Sequence, residues 1–340
     1  MACAGTTRPS AYPGRCRSAP SRRATRPIPT SRASAAVAQR ILVTGAAGFI
    51  GRHALAPLAA RGFEVHAVTR GAVLPGATSH AVDLMDVAAT RGLLARLRPS
   101  HLLHLAWTVA PGGFWTTRDN LDWVSATLAL YRAFAANGGA RFVGVGSCAE
   151  YDWSPDAVAA PLDEQASPCR PATLYGIAKD STHRMLAAAA ALDGVSLAWG
   201  RVFFLYGPGE KPGRLVSDTV VRLLRGEPIE TTPGTQRRDF LHVADVAGAL
   251  AALVGSEMEG PVNIASGEDR PIAEFLGEIG RQSGRADLLR FGARPMPANE
   301  PARLAAQVAR LRNAVGFTPR FDMASGIADT IAAARHPTGG

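Results

Sequence analysis

The chain has 340 residues, of which 47% are hydrophobic and 19% are charged, as in an ordinary globular protein long enough to bury a full core. Its formal net charge of +9 is concentrated in residues 1–40, which contain eight arginines and no Asp, Glu or Lys, so we predict no nucleic-acid partner for the nearly neutral remainder. No stretch approaches the roughly 18 consecutive apolar residues of a membrane span, and we predict no membrane association.

Residues 1–39 form a tail rich in Arg, Ser and Pro without apolar periodicity, a composition that predicts disorder. Three interpretations stay open: an acid-poor organelle transit peptide, a basic arm that contacts acidic partners, and an upstream extension of little consequence. We favour the extension, because only two of the 37 basic residues are lysines and such a coding bias makes arginine less informative. The four cysteines form no Cys/His cluster, so we expect no metal site and a cytoplasmic location.

Apolar runs and helical stretches alternate from residue 40 onward. The sequence predicts strands at 40–44, 64–69, 79–82, 101–106, 141–145 and 196–204, with helices at 49–61, 121–136 and 175–192 between them. Strands that alternate with helices of this length imply right-handed crossovers and a parallel sheet. We therefore predict an α/β fold, a doubly wound Rossmann domain, over residues 40–205.

Beyond residue 205 the predicted elements become shorter and mixed. A loop rich in Gly and Pro at 207–213 precedes helices near 215–225 and 272–283. We predict that residues 206–335 form mainly a smaller, discontinuous α/β substrate-binding lobe, with a return strand to the main sheet near 239–245. Such a lobe would cover the carboxyl edge of the sheet, where ligands bind in open α/β folds.

Three glycines follow the first predicted strand directly and open a helix: Gly45, Gly48 and Gly51. Glycine allows a tight turn and a close approach of backbone to a pyrophosphate, and the N-terminus of a helix attracts phosphate groups. The strand before the turn and the helix after it favour a dinucleotide site, with Phe49 and Ile50 beside the cofactor, over a plain strand–helix turn.

The end of the second strand bears on the choice of cofactor. An acidic residue there would bind the ribose 2′-hydroxyl, whereas an arginine can pair with a 2′-phosphate. This chain has Arg70 and no acid at that point. We therefore expect NADP(H), with NAD(H) as the alternative.

Tyr175 and Lys179 lie four residues apart on a predicted helix, which places a phenol and an ammonium on one face. A nearby cation favours the phenolate and would bring the pKa of Tyr175 into a useful range for acid–base chemistry. Because lysine is so rare in this chain, we prefer a catalytic pair to an accidental spacing. Ser147, beyond the fifth strand, is the hydroxyl expected to bind the reacting oxygen, and Cys148 beside it is expected to pack.

These motifs resemble the extended short-chain dehydrogenase/reductase family, and its NAD-dependent epimerase/dehydratase branch in particular. The G-x-x-G-x-x-G turn is typical of the superfamily, and Ser147 matches its S/T-x-x-x-Y-G segment. Residues 201–208, 238–246 and 263–267 resemble segments of the branch that acts on nucleotide sugars. The resemblance extends from residue 40 to about 320.

The resemblance implies further site residues. Asp83 and Leu84 would meet the adenine, Leu105 and Ala106 would run under the cofactor, and Phe203 would lie by the nicotinamide. Arg238 would hold the substrate diphosphate, with Arg214 as a second candidate. Asn120 would face the sugar. The family also implies a possible homodimer.

Two departures from the family pattern shape the functional prediction. Phe204 stands where relatives have an Asn that contacts the nucleotide. Cys148 and Ala149 stand where 4,6-dehydratases carry an acid and a base, and we therefore exclude dehydration. The remaining pattern looks most like the 4-ketoreductases that make nucleotide-linked deoxyhexoses. A nucleotide-sugar 4-epimerase with bound NAD and a non-catalytic dinucleotide-binding sensor stay as alternatives.

Overall fold

The computed structural model of the chain describes residues 39–110 and 112–336, and the predictions for the tail lie outside these residues. The strands are β1 (Arg40–Thr44), β2 (Glu64–Thr69), β3 (Thr78–Ala81), β4 (His101–His104), β5 (Arg141–Ser147), β6 (Ser196–Val202), β7 (Phe204–Tyr206), β8 (Ile229–Glu230), β9 (Arg237–His242), β10 (Gly260–Ile264), β11 (Asp269–Pro271), β12 (Leu289–Arg290) and β13 (Arg303–Leu304).

The helices are α1 (Phe49–Ala59), α2 (Val87–Leu97), α3 (Asp119–Ala136), α4 (Leu174–Asp193), α5 (Leu215–Leu224), α6 (Val243–Val254), α7 (Ile272–Ser283), α8 (Ala309–Asn313) and α9 (Met323–Arg335), with short 3₁₀ turns at Cys148–Glu150 and Ala286–Leu288. None of the helices in the described ranges has the combined length and apolar character needed to cross a membrane.

Seven parallel strands form the main sheet in the order β10-β6-β5-β4-β1-β2-β3. One hydrophobic cluster joins this sheet to α1 and α6, and a second joins it to α2, α3 and α4. Because both faces are covered, the strands are continuous apolar runs such as Ile41-Leu42-Val43 rather than alternating ones. The predicted Rossmann-type α/β fold is confirmed, and the order of strands reverses between β1 and β4, where such sheets bind ligands.

The smaller lobe packs around a third cluster, formed by α5, α7 and α9. Strand β9 lies at its centre, between β11 and β13 along its first half and beside β7 along its second half. A two-stranded parallel pair, β8 and β12, completes it.

The predicted return strand was wrong in position. Residues 239–245 fall on β9, which belongs to the lobe, and on the start of α6. The strand that rejoins the main sheet is β10, which pairs with β6. Helix α6 also packs on α1, so residues 243–264 belong to the layers of the main sheet. Helix α2 was not predicted.

Candidate active site

The glycine turn leads from β1 into α1 at the point where the sheet reverses its strand order. Gly45 has a φ of +66°, and a Cβ there would lie 2.7 Å from the backbone nitrogen of Ala106. A Cβ on Gly51 would lie 2.3 Å from the carbonyl oxygen of Gly45. Gly48 begins α1 without a side-chain cap, which leaves N–H groups of the first turn available to a ligand. The two glycines therefore let the turn pack tightly against itself and against the segment after β4, and the available N–H groups at the start of α1 suit a dinucleotide pyrophosphate.

The other predicted cofactor residues lie along the same carboxyl edge. Phe49 and Ile50 are half-buried in the first turn of α1, and Arg70 is exposed directly after β2. The remaining four follow β3 and β4: Asp83, Leu84, Leu105 and Ala106. Asp83 is exposed and accepts a hydrogen bond from the Met85 N–H at 3.0 Å. The fold therefore collects these predicted residues along one edge of the sheet.

Tyr175 lies in the first turn of α4, whose N-terminus is capped by Thr173. Its ring is buried and meets Phe114 and Trp115 edge to face, with centroid distances of 4.9 and 5.7 Å. Burial raises the pKa of the phenol, and the Ser147 side chain acts in the opposite direction. The expected lowering of this pKa by the neighbouring ammonium was wrong, because burial has the larger effect. The phenol is therefore protonated at neutral pH.

Lys179 lies one helical turn further along α4 and is also buried. Its Nζ donates a hydrogen bond to the Val145 carbonyl oxygen at 2.7 Å and lies 3.9 Å from the ring centroid of Trp107. Burial lowers the pKa of Lys179 to about 7, and the Glu150 carboxylate acts in the opposite direction. The ammonium thus contacts the backbone of β5 and an aromatic ring.

Ser147 is the last residue of β5 and caps the 3₁₀ turn that follows. Its Oγ accepts a hydrogen bond from the Ala149 N–H at 3.2 Å. A hydroxyl has one proton to donate and two lone pairs, so this contact leaves the O–H proton available for another acceptor. Burial raises the pKa of the adjacent Cys148 thiol to about 12, which keeps it protonated and agrees with a packing role.

Two predicted substrate residues, Arg214 and Arg238, lie in the lobe. Arg214 caps α5, donates to the Val109 carbonyl oxygen at 2.7 Å and lies 5.3 Å from the Phe114 ring, next to Tyr175. Arg238 is buried on β9, forms an ion pair with Glu300 and lies 5.5 Å from the Phe204 ring. The carboxylates of Asp239 and Asp245 accept hydrogen bonds from the backbone N–H groups of Ser266 and Phe321 instead.

Asn120 does not fit the predicted contact with a sugar. The side chain is buried, its Nδ2 donates to the Phe114 and Thr117 carbonyl oxygens, and its Oδ1 accepts from the Trp107 indole at 2.9 Å. These bonds use both donors and an acceptor lone pair of the amide. Asn120 therefore holds the loop after β4 in place. Phe203 is buried between β6 and β7, 6.3 Å from the Tyr151 ring.

A cavity of about 390 Å³ opens beside Arg214, within the size range of small-ligand sites. It is lined by residues of α5, β8 and α7 and by the loops between them. Several polar lining residues were not identified from the sequence: Arg222, Thr231, Thr232, Gln236 and Arg294. They lie 47 to 119 positions after Tyr175 in the sequence and share no motif. Arg214 connects this cavity to the aromatic wall around Tyr175.

The sequence pattern of the NAD dependent epimerase/dehydratase family matches residues 41–265. This range is more than half of the chain, and the chain belongs to that family. The expected family resemblance is thereby confirmed, as is a nicotinamide dinucleotide as the class of cofactor.

Among curated relatives, the GDP-6-deoxy-D-mannose reductase of Pseudomonas aeruginosa is 29% identical, over 83% of this chain and 93% of the relative. A dTDP-4-dehydro-6-deoxy-D-allose reductase of a Streptomyces species is also 29% identical, over 82% of this chain and 91% of the relative. Among solved structures, the UDP-glucose 4-epimerase of Thermus thermophilus in complex with NAD superimposes with a TM-score of 0.78 at 27% identity, over 88% of this chain and 100% of the other.

Proposed function

We propose that the protein is an NADP(H)-dependent reductase of a nucleoside-diphosphate 4-keto-deoxyhexose. The observation that carries the proposal is a buried, protonated Tyr175 beside the Ser147 hydroxyl. Ser147 is followed by Cys148 and Ala149, at the positions where water elimination would need carboxylates. Relatives named as reductases of 4-keto-6-deoxy sugar nucleotides support it.

The dinucleotide, held at the turn from Gly45 to Gly51, would supply the hydride for reduction of the carbonyl carbon. Ser147 donates a hydrogen bond to the carbonyl oxygen, since its contact with the Ala149 N–H leaves the hydroxyl proton available. Tyr175 transfers its proton to that oxygen as negative charge develops there. Lys179, when protonated, places a positive charge one helical turn from Tyr175, and the rings of Phe114 and Trp115 pack against the phenol.

We place the nucleoside diphosphate in the cavity next to α5. Arg214 and Arg222 line this cavity, and guanidinium groups suit phosphate because they donate two parallel hydrogen bonds. Arg238 of β9 also binds the diphosphate, once the substrate displaces Glu300 from its ion pair with Arg238. Arg70 supports the choice of NADP(H), since it is exposed after β2 with no acid beside it.

The test is incubation of the purified full chain with a panel of nucleoside-diphosphate 4-keto-6-deoxyhexoses and NADPH, followed by loss of absorbance at the nicotinamide band. We expect oxidation of NADPH with at least one member of the panel, and the reduced sugar nucleotide as product. Tyr175→Phe is the matched control for background oxidation. No turnover with any member, together with interconversion of UDP-sugars, would overturn the proposal.

The second candidate function is nucleotide-sugar 4-epimerisation with bound NAD. The superposition on a UDP-glucose 4-epimerase that holds NAD favours it. An epimerase recycles its cofactor, so it would purify with dinucleotide bound and would need none added. Protein that shows nicotinamide absorbance after desalting, and that forms the epimer without added cofactor, would establish this candidate.

We also propose a homodimer that uses α3 and α4. Large apolar side chains are exposed on these helices, among them Leu121, Ile177 and Met185. Ile177 and Met185 are eight residues apart on α4, which places them on one face. Light scattering should show a dimer, and Ile177→Glu with Met185→Glu should give a monomer. A monomeric wild-type chain would contradict this assignment.

A further inference from the structure

A fully buried carboxylate lies in the 3₁₀ turn that follows Ser147. Glu150 has no exposed surface. It accepts hydrogen bonds from the Ser147 N–H at 2.8 Å, the Trp199 indole N–H at 3.0 Å and the Arg201 Nε–H at 2.7 Å. A buried carboxylate is costly unless it is paired and hydrogen-bonded. Here all three donors are in place.

The strands around Glu150 are built to make room for it. A Cβ on Gly146 would lie 2.1 Å from Glu150 Oε1, and a Cβ on Gly144 would lie 2.2 Å from the Trp199 ring. Both glycines are on β5, and Trp199 and Arg201 are on the paired strand β6. Two glycines in a strand interior normally weaken it. Their presence here is explained by the space that Glu150 and Trp199 require.

We propose that Glu150 is a positioning residue for the reaction, which holds the Ser147 backbone through its N–H group and places a fixed negative charge near Lys179. The inference rests on the proposed reductase function for the roles of Ser147 and Tyr175. It assigns no direct contact with substrate or cofactor to Glu150 itself.

The positioning works through the cap of the 3₁₀ turn. Glu150 accepts from the Ser147 N–H, while Ser147 Oγ accepts from the Ala149 N–H. This reciprocal pair determines the direction of the Ser147 hydroxyl. Without the carboxylate, the N–H of Ser147 would lose its partner and the turn would lose one of its two side-chain bonds. A shift of about 1 Å at a reacting group can cost about a hundredfold in rate.

The charge of Glu150 also acts on Lys179, because Lys179 bonds the Val145 carbonyl oxygen and Glu150 bonds the Ser147 N–H two residues further along β5. Burial lowers the pKa of Lys179, and the Glu150 carboxylate opposes that shift. The group is not arranged as a cation site, although Glu150, Asp180 and His183 each offer an atom within 4.8 Å of the others, because Arg201 and Trp199 already occupy the carboxylate oxygens. The titratable groups around Glu150 and Lys179 come from five segments. They are His104 of β4; Cys148 and Tyr151 at the 3₁₀ turn; Cys169 in the loop before α4; Tyr175, Asp180 and His183 of α4; and Arg201 of β6.

The first test does not depend on activity. The chain contains only two lysines, Lys179 and Lys211, so labelling of lysine with 13C at the ε carbon gives two titrating NMR signals. Lys211→Arg identifies which one is Lys179. We expect Glu150→Gln to lower the Lys179 midpoint by about one pH unit, because a carboxylate that favours the charged form has been removed. An unchanged midpoint would overturn the electrostatic part of the proposal.

Asp245→Asn is the matched control. Asp245 is another carboxylate without exposed surface, and it accepts the Arg320 and Phe321 N–H groups at 3.1 and 2.9 Å. It lies at the start of α6, away from the Ser147 loop. Both substitutions should lower the melting temperature. Only Glu150→Gln should move the Lys179 signal.

The second test uses turnover of the full chain with NADPH and the substrate found for the wild type. Glu150→Gln should reduce kcat at least about tenfold and leave KM within about threefold, since the groups that bind substrate are untouched. The alkaline limb of its pH profile should move to lower pH, because Lys179 loses its charge at lower pH. Equal kcat and an unmoved limb in Glu150→Gln and wild type would show that Glu150 is only structural.

Glu150→Asp separates the two roles and serves if Glu150→Gln does not fold. It keeps the charge and shortens the reach to the Ser147 N–H. A Lys179 midpoint like that of wild type with kcat about fivefold lower would support positioning, and a wild-type kcat would overturn it. If the wild type itself turns over no 4-keto sugar, the proposed function fails, and the lysine titration still decides the role of Glu150.

Discussion

The turns after β1 and β5 leave the same edge of one parallel sheet, and they are built in opposite ways. The β1 turn is made of backbone: Gly45 and Gly51 allow backbone segments to pack closely, and the start of α1 offers N–H groups. The β5 turn is made of side chains: the Ser147 side chain bonds Tyr175, and Glu150, paired with Arg201, holds the Ser147 N–H.

The difference follows from what each turn must do. A pyrophosphate needs close approach and N–H donors, which any backbone provides once the side chains are removed. Proton transfer needs one side chain in one protonation state and one orientation, and this requires neighbours that hold both constant. The β1 turn is therefore a short local motif, whereas the β5 turn depends on residues from four elements.

The largest effect is expected at the β5 turn. Tyr175→Phe removes the proton donor and should reduce kcat about a thousandfold, since acid catalysis contributes on the order of 10²–10⁴. The Kd for NADPH, measured from tryptophan fluorescence, should stay within about twofold, because the β1 turn is unchanged. Comparable losses of kcat and of NADPH affinity would show that the two turns are not separable.

Gly51→Ala tests the β1 turn. Its Cβ would lie 2.3 Å from the Gly45 oxygen, and the backbone shift should cost about 1–3 kcal/mol and weaken NADPH binding about a hundredfold. Gly277→Ala is the control, because it also lies inside a helix but has nothing within 4 Å of an added Cβ. Calorimetry should show the control binding like wild type. Unchanged NADPH affinity in Gly51→Ala would contradict the steric argument.

Arg70→Ala tests whether Arg70, near the β1 turn, makes the protein prefer NADP(H) to NAD(H). Loss of one charge-assisted contact with a 2′-phosphate should raise the KM for NADPH about tenfold. The KM for NADH should not change, and Arg225→Ala, a change at the end of α5, should affect neither. An equal effect on both cofactors would instead indicate that Arg70 supports the turn.

The smallest expected effect is the uptake of protons by Lys179, beside the β5 turn, when NADPH binds. The pKa of Lys179 is about 7 in the free protein, so at pH 8 the side chain is mostly neutral. Hydrogen bonds from the ammonium to a bound cofactor favour the charged form and raise that pKa. Binding of NADPH at pH 8 should then take up a fraction of a proton, which calorimetry in buffers of different ionisation enthalpy detects. Lys179→Met should abolish the uptake and Lys211→Met should not. Proton release by the wild type would contradict a rise of the Lys179 pKa on binding.

Much of the fold could be predicted from local patterns. Strands β1 and β2 have the predicted bounds, and α4 and α7 match within a residue or two. The return strand at 260–264 could not be predicted, because nothing in its five residues states which sheet it joins. That choice depends on α6 packing against α1, about 190 residues away in sequence.

The sequence by itself determined the glycine turn and the Tyr175–Lys179 spacing, because each lies within seven residues and needs only a strand or a helix around it. Only the tertiary structure decided the state of those groups. Burial under Phe114 and Trp115 raises the pKa of Tyr175, and contact with Val145 and Trp107 sets the direction of Lys179. Solvation and charge depend on neighbours that are distant in the chain, and only folding brings those neighbours together.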